Sequence, residues 1–201
     1  MAKSASSSST IRLPRFDLRD MSIKLIGDSQ LVCHAWSQKA KMEMLGKQMK
    51  RAKEAKAAKD PHQDFMDSLY PMPDGNGYGF PAIAFKAAAV DACSSVEGIT
   101  KVEARMAFHI DRDLLLIEAS PPTMREDMVR VGMGTADIRY RGSFDPWSVT
   151  VPLRYNANAL SAEQIVHLFN TAGFGIGIGE HRPQRDGSWG RFHVASVQEA
   201  G

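Results

Sequence analysis

The sequence predicts an α+β domain with a ferredoxin-like (RRM-like) βαββαβ core that carries an inserted basic helix and long loops. Three observations lead there. With a lysine-rich helical stretch set aside and Trp147–Tyr155 counted as an extra strand, the predicted elements run strand, helix, strand, strand, helix, strand. The 201 residues fill one sizeable core and fall short of two. The longest apolar runs, Leu114–Ile117 and Ala87–Val90, are far below the roughly 20 residues that a membrane span needs. The expected boundaries are a flexible Ser-rich N-terminal arm over 1–18 and one domain over 19–201, with the insertion at about 37–79.

Each element has its own signal. Met21–Asp28 alternates Ile23 and Leu25 with Ser22 and Lys24, the pattern of a half-buried strand, and Gly27-Asp28 closes it. Leu31–Trp36 is a short apolar stretch of open type. Ser37 is a fitting N-cap for Gln38–Lys59, which is rich in Ala, Lys, Met and Glu and free of proline. Met42, Leu45, Met49 and Ala52 recur at helical spacing, but the second half has only alanines to bury. Its far end is therefore expected in solvent or against a polyanion. Asp60–Gly79 holds Pro61, Pro71, Pro73, Gly75 and Gly77 and reads as a loop. Phe80-Pro81 opens a helix with Pro81 at its first position, and Gly98 ends it.

Lys101–Ile110 reads as a strand, and Asp113–Ala119 as a central strand buried on both faces. Thr123–Phe144 reads as a long, glycine-punctuated, arginine-bearing loop. Trp147–Tyr155 alternates as a strand, with Pro152 marking an edge or a bulge. Ser161-Ala-Glu-Gln164 fits a capping box and starts a helix that runs to Ala172. Gly173–Gly179 alternates glycine with apolar residues, so it predicts a strand with one bare face, and Arg191–Val197 is the last strand.

Composition bounds the function. With 25 Lys+Arg against 23 Asp+Glu the net charge is +2, which excludes a grossly basic histone-like protein but not local basic surfaces. Cys33 and Cys93 make neither a disulfide framework nor a metal knuckle. The N-terminus lacks the apolar core of a secretory signal, so the expected setting is cytoplasmic, with no membrane partner.

Three segments concentrate positive charge. In Gly173–Val194, four alternating glycines precede a hairpin that bears Arg182, Arg185 and Arg191 around Trp189. Arginine pairs with phosphates, and an exposed indole stacks on bases. The alternative is a glycine strand under a helix with a solvated hairpin. The motif is not a dinucleotide fingerprint, because the glycines follow a helix instead of opening one. In Met124–Gly142, Arg125, Arg130, Arg139 and Arg141 alternate with Glu126, Asp127 and Asp137, which suits either internal salt bridging or an ordered loop that grips a nucleic-acid backbone, with Tyr140 as a second stacking candidate. In the lysine-rich helix, Lys47, Lys50, Arg51 and Lys53 are either a solvated face or an attraction to nucleic acid. No histidine pair has metal-ligand spacing, and neither metal nor cofactor is expected. Glu180-His181 beside Arg182 could serve as acid and base on a phosphodiester, but neighbouring strand residues point to opposite faces.

The Gly-x-Ser-x-Leu ending of the first strand (Gly27–Leu31), the core pattern and the glycine-rich segment before the last strand (Gly173–Gly190) resemble the RAMP superfamily. Its members include the RNA-backbone subunits of CRISPR effector complexes. Gly-Phe-Pro-Ala at 79–82 and Gly-Ile-Gly-Glu-x-Arg-Pro at 177–183 are also similar to uncharacterised proteins of tailed phages and prophages. The RAMP resemblance implies an RNA-recognition-like core and an oligomer along single-stranded nucleic acid. It carries over residue by residue to Gly175, Gly177, Gly179, Gly187 and Gly190, where a backbone would approach closely. No catalytic histidine transfers. The leading expectation is a non-enzymatic, phage-encoded protein that binds single-stranded RNA or DNA and self-assembles as a homo-oligomer. The alternatives are a phage structural or assembly subunit and a metal-independent phosphodiesterase that uses His181.

Overall fold

The computed structural model describes residues 15–51, 58–132 and 134–199. The serine-rich start of the chain and Lys53 lie outside them. The fold is mixed α+β, and every strand pairing is antiparallel. In chain order the described elements are β1 (Leu18–Gly27), β2 (Leu31–Val32), α1 (Gln38–Gln48), α2 (Pro61–Asp67), β3 (Tyr70–Pro71), β4 (Tyr78–Pro81), α3 (Ala82–Ala92), α4 (Lys101–Ala107), β5 (Phe108–His109), β6 (Leu114–Ala119), β7 (Thr123–Val131), β8 (Thr135–Phe144), β9 (Trp147–Asn156), α5 (Ala162–Gly175) and β10 (Phe192–Glu199).

The main sheet has the order β10-β1-β9-β6-β4-β3, with β5 on β9; a second sheet has the order β2-β8-β7. Helices α3 and α5 pack together on one face of the main sheet. The period-two alternation of β1 explains the arrangement: Met21, Ile23 and Leu25 are buried beneath the helices, while Asp20, Ser22 and Lys24 face outward. Burying each large apolar side chain contributes about 1.5–3 kcal/mol. Phe85 of α3, Phe169 of α5, Phe192 of β10 and Val149 and Val151 of β9 complete this layer. No helix among the described residues is long and apolar enough to cross a membrane.

Several sequence expectations are corrected. The lysine-rich stretch is not one helix: α1 ends at Gln48, and Lys50 adopts a left-handed φ of 53°. No α1 residue with a described side chain is buried, so packing gives the helix no reason to continue. The Asp60–Gly79 loop contains α2, capped by Asp60 with Pro61 in its first turn, and the β3–β4 hairpin. Pro81 is the N-cap of α3 and not its first helical residue, and α3 ends at Ala92 before a short 3₁₀ turn. Lys101–Ile110 is mostly α4, started by a capping box between Thr100 and Glu103.

Strand β6 is buried on one face only: Leu115 and Ile117 are inside, and Leu116 is 43% exposed. Thr123–Phe144 is not a loop but a hairpin of two long strands. Pro152 sits within a central strand, opposite Ser22. On the other side of β9, β6 pairs with residues 147–149 and β5 with 154–155, so Pro152 falls in the gap between them, where its missing N–H costs no ladder bond. Gly173–Gly179 is not a strand, because α5 continues to Gly175 and turns follow.

Candidate nucleic-acid interface

The six residues after β1 tie three parts of the molecule together. The Ser29 carbonyl accepts the Trp147 indole N–H at 2.7 Å, and its hydroxyl accepts the Arg191 amide at 3.0 Å. The Gln30 carbonyl accepts the Gly190 amide at 2.8 Å. Leu31 and Val32 form β2 and pair with β8, and the Val32 carbonyl accepts the Glu180 amide at 3.1 Å. The main sheet, the arginine hairpin β7–β8 and the glycine-rich segment therefore share one anchor.

The glycine-rich segment is a chain of tight turns. Gly177 (φ 67°), Gly179 (φ 77°), His181 (φ 49°), Asp186 (φ 59°) and Gly190 (φ 64°) all take left-handed conformations. A Cβ on Gly190 would lie 1.7 Å from the Ile178 carbonyl oxygen, and one on Gly187 would lie 1.7 Å from that of His181. A Cβ on Gly177 would meet Pro183, and one on Gly179 would meet the Val32 carbonyl. The close approach is that of the chain to itself. Gly175, the last residue of α5, has open space around it. Gly173 explains the longer helix: it lets α5 pack directly on the Phe192 backbone, while Leu168, Phe169 and Ala172 continue the buried stripe.

The register of the hairpin sets the electrostatics. Arg125 lies opposite Arg141, and Asp127 opposite Arg139, all on one face. Like charges directly opposite repel, so each needs a counter-group. Arg125 donates to Asp127 at 2.8 Å and to the Gln30 side chain at 3.0 Å, and its guanidinium lies 4.3 Å from the centre of the Trp189 ring. The His181 ring meets the same indole edge-on at 4.7 Å. One face of the expected stacking platform is thus taken by an arginine.

Arg141 is only 4% exposed; its Nη2 lies 3.5 Å from Glu180 Oε2 and its Nη1 3.9 Å from Asp127 Oδ2. Glu180 also reaches His34 Nδ1 at 3.4 Å. The His34 hydrogen bond, followed by the Arg141 charge, holds the Glu180 carboxyl below the usual range against the opposing effect of burial. Arg139 and Lys59 both pair with Asp137, at 2.7 Å and 3.0 Å. The Lys59 ammonium also donates to the Ile138 carbonyl and lies 6.0 Å from the Tyr140 ring centre.

The structure thus brings Arg125, Arg139, Arg141 and Trp189 together beside Gly177–Gly190. Arg182 is held at this segment by the Gly179 carbonyl and Gln184, and Arg191 by the Ser188 carbonyl. Arg130, near the hairpin tip, and Arg185, in a short 3₁₀ turn, are exposed. Lys47, Lys50 and Arg51 are exposed on and after α1 and take no part in these ion pairs. The sequence does not mark Gln30, His34 or Lys59 as members of this site, since their roles arise from contacts with residues far along the chain. Beside the cluster, a cleft of about 270 Å³ is lined by His34, Tyr70, Ala84, Ala88, Glu180 and Arg182. Among the described residues, no group of three or more His, Cys, Asp or Glu side chains is placed to hold a metal.

No family model matches the chain, and no curated protein matches it by sequence. Solved structures do match. A chain of the Type III-B Cmr-beta, seen by cryo-EM bound to cognate target RNA, superposes with a TM-score of 0.53 at 11% identity over 90% of this chain. The match covers 60% of the length of that chain. Cmr6 from Pyrococcus furiosus gives a TM-score of 0.48 at 10% identity, over 89% of this chain and 98% of that one. The likeness to the Cmr-beta chain is one of fold.

Proposed function

We propose that this protein binds single-stranded nucleic acid, RNA by preference, without catalysing a reaction on it. The core we assign as ferredoxin-like: β1, α3, β6, β9, α5 and β10 follow the βαββαβ order, and their strands lie in the order β10-β1-β9-β6. The observation that carries the reading is the joint in which Arg125 of the hairpin stacks on Trp189 of the glycine-rich segment. It holds two arginine-bearing stretches at one place, with Arg182 and Arg191 on the same glycine-rich segment as Trp189. The fold likeness to a chain of Cmr-beta, which was seen bound to cognate target RNA, supports RNA as the ligand.

The outward face of the main sheet supports this location for the site. Sheet-bound RNA is gripped by aromatic side chains on the central strands. Here β1 and β9 present Asp20, Ser22, Lys24, Ser148, Thr150 and Arg154 outward, and the Trp147 and Tyr155 side chains of β9 are buried. Stacking therefore falls to the joint and to Tyr140. In this reading Lys47, Lys50 and Arg51 add attraction that salt weakens.

Fluorescence anisotropy with a labelled single-stranded oligouridylate, its DNA counterpart and a duplex at two salt concentrations tests the proposal. Salt-sensitive binding at micromolar protein is expected, with the single strands ahead of the duplex. Equal binding of the duplex, or none at all, rejects it.

A further inference from the structure

Among the described residues, the buried side-chain polar atoms without a hydrogen-bond partner are Arg125 Nε, Asp127 Oδ2, Arg139 Nε, Arg141 Nε and Arg141 Nη1. All five belong to one face of the β7–β8 hairpin, at register pairs that lie side by side. Buried polar groups are almost always satisfied, so such a concentration calls for a missing partner. The atoms state its chemistry: four are N–H donors and one is an acceptor. A single water donates two hydrogen bonds and accepts two, so it leaves half of these donors unmet.

Arg139 Nε illustrates the shortage. It lies 2.7 Å from Asp137 Oδ2, yet at an angle too bent for a hydrogen bond, and that carboxylate also serves Lys59. Asp127 is divided in the same way between Arg125 at 2.8 Å and Arg141 at 3.9 Å. Four cations (Arg125, Arg139, Arg141, Lys59) face three carboxylates (Asp127, Asp137, Glu180). The cluster is therefore short of anionic oxygen in both charge and hydrogen-bond count.

We infer that this face is a built oxyanion site that takes a phosphate-class group, either a backbone phosphodiester or free inorganic phosphate. Unpartnered guanidinium N–H donors of three arginines on one hairpin face match its oxygens. Access is from the Arg139 side: the Arg139 and Arg125 side chains are 38% and 29% exposed, against 5% for Arg141 and 11% for Asp127. Arg141 forms the floor and Arg139 the rim. If the group is a phosphodiester, the inference rests on the strand-binding reading above, and it then names the residues that hold the backbone.

The test is ¹⁵N NMR of the arginine Nε–H groups in the full chain, with inorganic phosphate and single-stranded oligouridylate as separate probes. Phosphate is expected to move the Arg139 and Arg141 signals, and Arg139→Gln to abolish the response. Arg141→Met removes the floor and can unfold the hairpin; Arg139 is on the rim, so R139Q keeps the question open to experiment. The same variant is expected to weaken strand binding about tenfold and to lower the salt slope by about one. If the strand binds but neither probe moves these signals, the oxyanion site is wrong and the strand-binding reading survives. If phosphate moves them and no strand binds, the site stands as one for a free anion and the strand-binding reading falls.

Discussion

The lysines around α1 and the arginines of the β7–β8 hairpin come from stretches of comparable charge, yet the fold treats them in opposite ways. Lys47 on α1 and Lys50 and Arg51 just after it remain in solvent, and no described side chain of α1 is buried. Arg125, Arg139 and Arg141 are drawn against Asp127, Asp137, Glu180 and Trp189, with Arg141 almost wholly inside. A solvated lysine adds long-range attraction that salt screens, whereas a guanidinium fixed among carboxylates has its geometry set before any ligand arrives. The contrast shows that a count of basic residues says nothing about which of them are preorganised.

The largest effect is expected from breaking the buried side of this contrast. Arg141→Met leaves Asp127 and Glu180 without their shared cation and is expected to destabilise the protein by about 3–5 kcal/mol in urea unfolding. A loss below about 1 kcal/mol would place Arg141 with the solvated lysines. Next comes Gly190→Ala, which puts a methyl group into the Ile178 carbonyl at a left-handed position. It is expected to cost about 3 kcal/mol in the same assay and to release the Trp189 indole, visible as a shift in tryptophan emission.

A pH series sharpens the comparison further. The Glu180 carboxyl is held below its ordinary value of 4.5 in the folded protein. Its contribution is therefore present above that value and is lost as pH falls through the lower folded-state value. Unfolding curves from pH 7 down to the acid limit are expected to show this loss in the wild type and a shallower one in Glu180→Gln. Identical acid profiles would mean that the carboxylate is not engaged. The smallest effect on stability belongs to the end of α1 and the residues just after it. Lys47→Ala, Lys50→Ala and Arg51→Ala together are expected to change unfolding free energy by less than about 0.5 kcal/mol while weakening strand binding and its salt dependence.

Strands β1, β6, β9 and β10 were legible in the sequence, because β1 and β9 alternate cleanly, and α5 announces itself with a capping box at Ser161 and Gln164, whereas the short strands β3, β4 and β5 were not. The hairpin was not. One of its faces carries Arg125, Asp127 and Arg139 and the other Glu126, Tyr140 and Arg130, so polarity does not alternate and the strand period is hidden. Gly173–Gly179 misled for the opposite reason: its period-two pattern looks like a strand, whereas the glycines serve a helix packed on Phe192 and then left-handed turns. The charged segments were recognised, but not that Arg125 would find Trp189 and Gln30, since such long-range pairing leaves no trace in local spacing.

The most direct test is to photo-crosslink a 4-thiouridine-containing single strand to the full protein and identify the modified peptides. Crosslinks are expected within residues 123–144 and 180–191. Crosslinks confined to residues 38–51, or none above a duplex control, would contradict an interface built at the junction of the hairpin and the glycine-rich segment.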